Sequence, residues 1–157
     1  MMKKKIIIFN NGTFPISFLT NLKKNFKSFS FHELKDNEIN KLYKHIAKAN
    51  ALINCPRKHF NENLVKNFQN MEWVHASSAG VDAYINPLFS KSKVIFTNGK
   101  ILQGPEIGDH ALGLILTFSR NIHFYTKVKT KTKPKRPIEL MKKKALIVGF
   151  GGIGKCI

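Results

Sequence analysis

The chain has 157 residues, 43% of them hydrophobic, which suffices for a globular core and argues against a disordered segment. Twenty-seven lysines and arginines against nine acids give a formal net charge of +18. That excess admits a polyanion partner, but the lysines are scattered and asparagine, isoleucine and phenylalanine are also abundant, so biased composition accounts for it more simply. Cys55 and Cys156 are far apart and fit no metal spacing, so they read as reduced thiols and no metal site is expected. The basic N-terminus leads into an apolar run, 6–9, shorter than the roughly 7–15 residues of a signal-peptide core. The other strongly apolar stretch, 111–118, lies between Glu106, Asp109 and Arg120 and falls short of the roughly 20 residues that span a bilayer. A soluble cytoplasmic protein without a membrane partner is the expectation.

The first strand is expected at 5–9, apolar and β-branched, ended by the turn cluster Asn10, Asn11 and Gly12. Phe14, Phe18, Leu19, Leu22 and Phe26 recur on one helical face, so 14–26 reads as a helix. The alternating stretch 28–32 is a candidate second strand. Asp36 is placed to cap a helix holding Ile39, Leu42, Tyr43 and Ile46. Residues 51–54 form a third strand, stopped before Pro56. Asn61 or Asn63 opens another short helix, with Leu64, Val65 and Phe68 facing inward. Residues 73–76 and 94–97 supply the fourth and fifth strands. This alternation is the signature of a doubly wound, mostly parallel sheet, whose ligands lie beyond the carboxyl ends of the strands.

A strong helix follows. Pro105 suits the first helical position, and Glu106 and Asp109 complement the dipole. Ile107, Leu112, Leu114, Ile115, Leu116 and Phe118 cover so much of its surface that it is expected to be buried nearly all round. From Pro105 to near Phe124 it would run about 30 Å, enough to bridge two domains or meet a second subunit. Residues 126–144 read as a basic linker. Lys127, Lys129, Lys131, Lys133, Lys135, Arg136, Lys142, Lys143 and Lys144 face one acid, Glu139, and Pro134 and Pro137 oppose a helix. Few aromatics lie among these lysines to stack bases, so no specific nucleic-acid partner is expected.

Ala145, Leu146, Ile147 and Val148 then read as a buried parallel strand. Gly149, Phe150, Gly151, Gly152, Ile153 and Gly154 match the G-x-G-x-x-G turn that joins such a strand to a helix and holds a dinucleotide. Gly149 would permit the tight turn, Gly151 would let the backbone approach a pyrophosphate, and Gly154 would allow close helix packing. The phosphates would lie at the N-terminus of that helix, on its free N–H groups.

Four stretches combine in order: 73–82 (Trp-Val-His-Ala-Ser-Ser-Ala-Gly-Val-Asp), Thr97-Asn98 with 104–112 (Gly-Pro-Glu-Ile-Gly-Asp-His-Ala-Leu), 136–140 (Arg-Pro-Ile-Glu-Leu), and the glycine turn. Together they resemble the D-isomer-specific 2-hydroxyacid dehydrogenase family over about residues 70–157, as an N-terminal portion ending just after the glycine fingerprint. The resemblance implies a flavodoxin-like, substrate-side domain over 1–103 and an inter-domain and dimer helix over 104–125. After the linker, 126–144, it implies the first strand and glycine turn of a Rossmann domain for NAD or NADP over 145–157. The Ala79-Gly80 backbone matches the loop whose amides receive the substrate carboxylate, and Thr97 matches a position near the cofactor cleft. The family more often has Ala-Glu where this chain has Gly108-Asp109, and that glycine is expected to loosen the start of the helix.

The family's catalytic arginine, glutamate and histidine follow the glycine motif, so no catalytic residue is assigned within 1–157. His75 and His110 lie in family motifs but do not match the catalytic histidine, and His32, His45, His59 and His123 have no evident partners. The expected function is the N-terminal part of an oxidoreductase that moves a hydride between NAD(P) and a small 2-hydroxy or 2-keto acid. The enzyme would be a homodimer, and this stretch alone would be inactive. The alternative is a non-catalytic module that dimerises through the long helix or holds polyanions on the linker.

Overall fold

Ile6, Ile7, Ile8 and Phe9 are all buried, and they alternate between two cores because successive strand side chains point to opposite faces. Such a strand needs neighbours on both edges and cover on both faces. In the computed structural model, which describes residues 3–12, 14–126 and 136–157, β1 (Lys4–Phe9) has both. It pairs in parallel with β2 (Phe29–Leu34) on one side and β3 (Ala51–Ile53) on the other. β3 pairs with β4 (Trp73–Ala76), and β4 with β5 (Ile95–Asn98). The five strands are parallel, in the order β2-β1-β3-β4-β5, which is the flavodoxin-like order.

The two sheet faces are covered unequally. On one, Leu19 of α1 (Ile16–Asn25) packs with Ile6, Ile8 and Ala51. On the other, Leu42 of α2 (Ile39–His45), Leu64 and Val65 of α3 (Glu62–Val65) and Phe89 of α4 (Pro87–Ser90) close over Ile7, Phe9, Leu52 and Val74. Asn61 caps α3, accepting from the Leu64 N–H at 3.0 Å. Asp36 does not cap α2, which opens after Glu38 without a side-chain cap. α1 is shorter than the apolar spacing suggested, since Pro15 stands at its cap and Phe14 lies before it. β2 runs on to Leu34 because its whole length pairs with β1.

The chain divides into two units, Met1–Gly99 and Lys100–Ile157. The second holds α5 (Gly104–Ser119) and α6 (Ile122–Tyr125). The long helix ends earlier than expected because Asn121 adopts a left-handed conformation, φ 57°. Nor is it buried all round. Leu112, Leu114, Ile115, Leu116 and Phe118 are exposed, and only Gly104 and Gly108 are buried. Residues 145–148 form no strand. A strand exists through its ladder, and these residues pair with no other strand among those described. Leu146 and Val148 are 90% and 92% exposed, so the expected burial is also absent. Within the basic linker, 126–144, residues 127–135 lie outside the described residues.

Candidate functional site

Parallel strands bring all their carboxyl ends to one edge of the sheet. There the turn after β3 and the loop after β4 stand side by side. Asn54 turns the chain at the end of β3 with φ 57°. Its N–H donates to the His75 carbonyl at 2.8 Å and its side-chain amide to the Phe9 carbonyl at 3.3 Å, tying together the ends of three strands. Pro56 then leads into a single 3-10 turn, Arg57–His59. The loop after β4 carries Ser77, Ser78, Ala79 and Gly80 into a second 3-10 turn, Asp82–Tyr84.

The loop's carbonyls are anchored. Asn98, at the end of β5, donates its amide to the Ala79 carbonyl at 2.7 Å, and the Ser78 hydroxyl donates to the Gly80 carbonyl at 3.2 Å. The Ala79 and Gly80 N–H groups have no acceptor among the described residues, and both residues are exposed. Gly80 does not have positive φ, so the loop needs no left-handed step there. The loop lies beside a cation: a Cβ on Gly80 would stand 3.4 Å from Arg57 Nη2. Beneath them Tyr84 is buried and donates its hydroxyl to the Cys55 carbonyl at 2.9 Å. Burial pushes the Tyr84 phenol up, against a smaller opposing effect of Arg57 and Ser78.

Thr97 pairs in register with His75. Its Oγ1 accepts the Trp73 indole N–H at 2.8 Å and meets His75 Nδ1 at 2.8 Å. Its hydroxyl is therefore engaged on the α1 side of the sheet, where burial lowers the His75 pKa. Trp73 and His75 border a groove of about 620 Å³ there, walled by Phe14, Phe18, Phe26 and Phe31. That lining is overwhelmingly apolar, and its one cation, Lys4, is bonded to Glu72, so the groove is poorly suited to a carboxylate.

In the second unit the glycine turn follows residues that form no strand, and its glycines differ in the room around them. Gly149 has φ +98°, and a Cβ on Gly154 would meet the Gly149 carbonyl at 2.1 Å. A Cβ on Gly151 would meet nothing within 4 Å. A helical turn begins after it, with the Lys155 N–H donating to the Gly151 carbonyl at 3.0 Å. Gly108 serves close packing: a Cβ there would stand 2.5 Å from the Cys156 carbonyl. The amide loop belongs to the first unit and the glycine turn to the second. No group of three or more metal-ligating side chains occurs among the described residues, nor is any helix there long and apolar enough to cross a membrane.

Arg57 and Asn98 are the site residues that sequence reasoning passed over. Asn98 follows Thr97 in the sequence motif, which by itself assigns it no role. Arg57 had one available signal, a cation just beyond the carboxyl end of a parallel strand.

No family model matches the chain. It is 26% identical over 139 residues to a probable 2-ketogluconate reductase of Dictyostelium discoideum, covering 84% of this chain and 41% of that protein. It is 28% identical over 153 residues to an erythronate-4-phosphate dehydrogenase of Wigglesworthia glossinidia brevipalpis, covering 98% and 34%. Among solved structures, a D-isomer-specific 2-hydroxyacid dehydrogenase family protein of Aeromonas salmonicida superposes with a TM-score of 0.74 at 19% identity, over 99% of this chain and 49% of that one. An NAD+-bound 3-phosphoglycerate dehydrogenase of Entamoeba histolytica gives 0.70 at 15%, over 98% and 48%. The chain is thus similar to D-isomer-specific 2-hydroxyacid dehydrogenases, as its motifs indicated, and spans half or less of the length of these four proteins.

Proposed function

We propose that this chain is part of an oxidoreductase that transfers a hydride between NAD(P) and C2 of a small 2-hydroxy or 2-keto acid. The observation that carries the reading is the exposed Ala79–Gly80 loop at the carboxyl edge of the sheet, with anchored carbonyls and free amides. In this reading 1–103 form the substrate-side domain, 104–125 the inter-domain and dimer helix, 126–144 the linker, and 145–157 the opening of the dinucleotide domain.

Each residue group has a task in it. The Ala79 and Gly80 amides hold the acid's carboxylate and so fix where C2 lies. Gly149, Phe150, Gly151, Gly152, Ile153 and Gly154 receive the pyrophosphate of NAD(P) on backbone N–H groups. When bound, the nicotinamide supplies or accepts the hydride. Thr97 lies near the cofactor cleft and steadies His75 and Trp73. The acid/base work falls to residues outside 1–157. The exposed apolar side of α5 is the dimer surface in this proposal, and the same exposure supports the second reading, a non-catalytic dimerising module.

Titration of the 157-residue chain with glyoxylate, followed by amide NMR, tests the assignment. The expected result is saturable movement of the Ala79 and Gly80 signals, with nicotinamide-linked turnover at background. A loop unmoved by glyoxylate would remove the substrate-side assignment. Turnover near about 1 s⁻¹, an ordinary enzymatic rate, would mean that the catalytic groups lie within these residues.

A further inference from the structure

The loop after β4 holds half of an anion receptor, and the turn after β3 brings the other half. In a trans peptide the carbonyl and the following N–H point in opposite directions. The bond from Asn98 to the Ala79 carbonyl therefore turns the Gly80 N–H away from Asn98. The Gly99 N–H donates to the Ser78 carbonyl at 3.3 Å and fixes the preceding peptide, with its Ala79 N–H, in the same manner. Two donors are thus presented from a loop whose acceptors are occupied. Arg57 Nη2 stands 3.4 Å from the place where a Gly80 side chain would begin, which sets the guanidinium beside the loop. The ion pairs among the described residues are Lys4–Glu72 and Lys41–Glu38, so none of the described carboxylates pairs with Arg57. Its position is built rather than incidental. Asn54 pins the turn that carries it to the ends of β1 and β4, and the buried Tyr84 anchors Cys55, two residues before it.

We propose that Arg57 is a substrate-binding residue, which joins the Ala79 and Gly80 amides in clamping the carboxylate of the acid. The inference rests on the reading of the loop as the substrate side and adds to it a cation from a different strand end. A guanidinium beside two backbone donors gives charge-assisted bonds in a fixed geometry and favours a planar carboxylate over a neutral group of the same shape. The first unit would then select anionic acids before any residue outside 1–157 takes part.

The test is a glyoxylate titration of the 157-residue chain and of Arg57→Ala and Arg57→Lys, followed on the Ala79 and Gly80 amides, with pyruvate and neutral pyruvamide as a matched pair. Arg57 is exposed, so the variants should fold, and unchanged core methyl signals would establish it. We expect Arg57→Ala to weaken glyoxylate binding about 10-fold or more, the scale of one charge-assisted bond. Arg57→Lys should fall between the two, and pyruvate should bind better than pyruvamide only when residue 57 is cationic. Equal affinity of the wild-type chain and Arg57→Ala would overturn the role of Arg57 while leaving the loop assignment intact. A wild-type loop that does not respond to glyoxylate would refute the loop assignment itself. Anion-induced shifts spread over surface lysines, with none centred on Gly80, would also overturn the clamp.

Discussion

Single residues here divide by whether they meet the backbone or the solvent. Gly108 and Gly154 have no room for a Cβ, which would fall 2.5 Å and 2.1 Å from the carbonyls of Cys156 and Gly149. Gly151 has room on all sides. Gly108→Ala should therefore cost about 1–3 kcal/mol of local stability, the usual penalty for overpacking, and should appear as faster amide exchange over 151–156. Gly151→Val should leave that exchange unchanged, and the two glycines would have been misjudged if the variants behaved alike. The left-handed φ of Gly149 was legible in the sequence because its demand is local. The role of Gly108 was not, because its close neighbour lies 48 positions away.

The cysteines provide a second test at this scale. Cys55 is buried, and desolvation pushes its thiol from 9.0 up to about 12, whereas Cys156 is exposed. A thiol reagent at neutral pH should label Cys156 at once and Cys55 only after unfolding. Because the folded thiol keeps its proton, the unfolded chain binds fewer protons above pH 9, so stability should fall as pH rises from about 9 toward about 12. Cys55→Ser should flatten that loss. Rapid labelling of both thiols in the folded chain would contradict this placement.

Helix α5 shows what an element's sequence can and cannot declare. Its apolar positions and Pro105 located its start, since periodicity is a property of the segment alone, but not its end at Ser119. Its burial was misjudged, because hydrophobicity says that a helix wants a partner and not whether the same chain supplies one. The same reason explains 145–148, read as a buried strand and found exposed, with no strand to pair with among the described residues. β4 was located to the residue, by contrast, because β3 and β5 both lie within the same chain. If α5 is an association surface, Leu112→Gln with Leu116→Gln should shift sedimentation toward monomer without altering the melting of the first unit. An unchanged sedimentation profile in a sample of wild-type dimers would place the interface elsewhere.

Across the whole molecule, burial is concentrated in one part. Every buried hydrophobic residue among those described lies between Ile6 and Phe89, and the second unit contributes none. Hydrophobic burial is the main favourable term in folding, so global stability should reside in the first unit, while 145–157 opens at little cost. The site follows this division. The amide loop and Arg57 stand on the buried sheet and should keep their geometry when the second unit is open, whereas the glycine turn rests on α5 by a few backbone contacts. Hydrogen exchange on the 157-residue chain should show strong protection in β1, β3 and β4, and fast exchange over 145–148. Binding of NAD should be very weak for the same reason, since its phosphate loop would have to be ordered at the moment of binding and that ordering costs conformational entropy. Strong protection of 145–148 in a monomeric sample would show that this segment has found a partner strand. The second unit would then be a stable fold in its own right, and weak NAD binding would need a cause other than disorder of the turn.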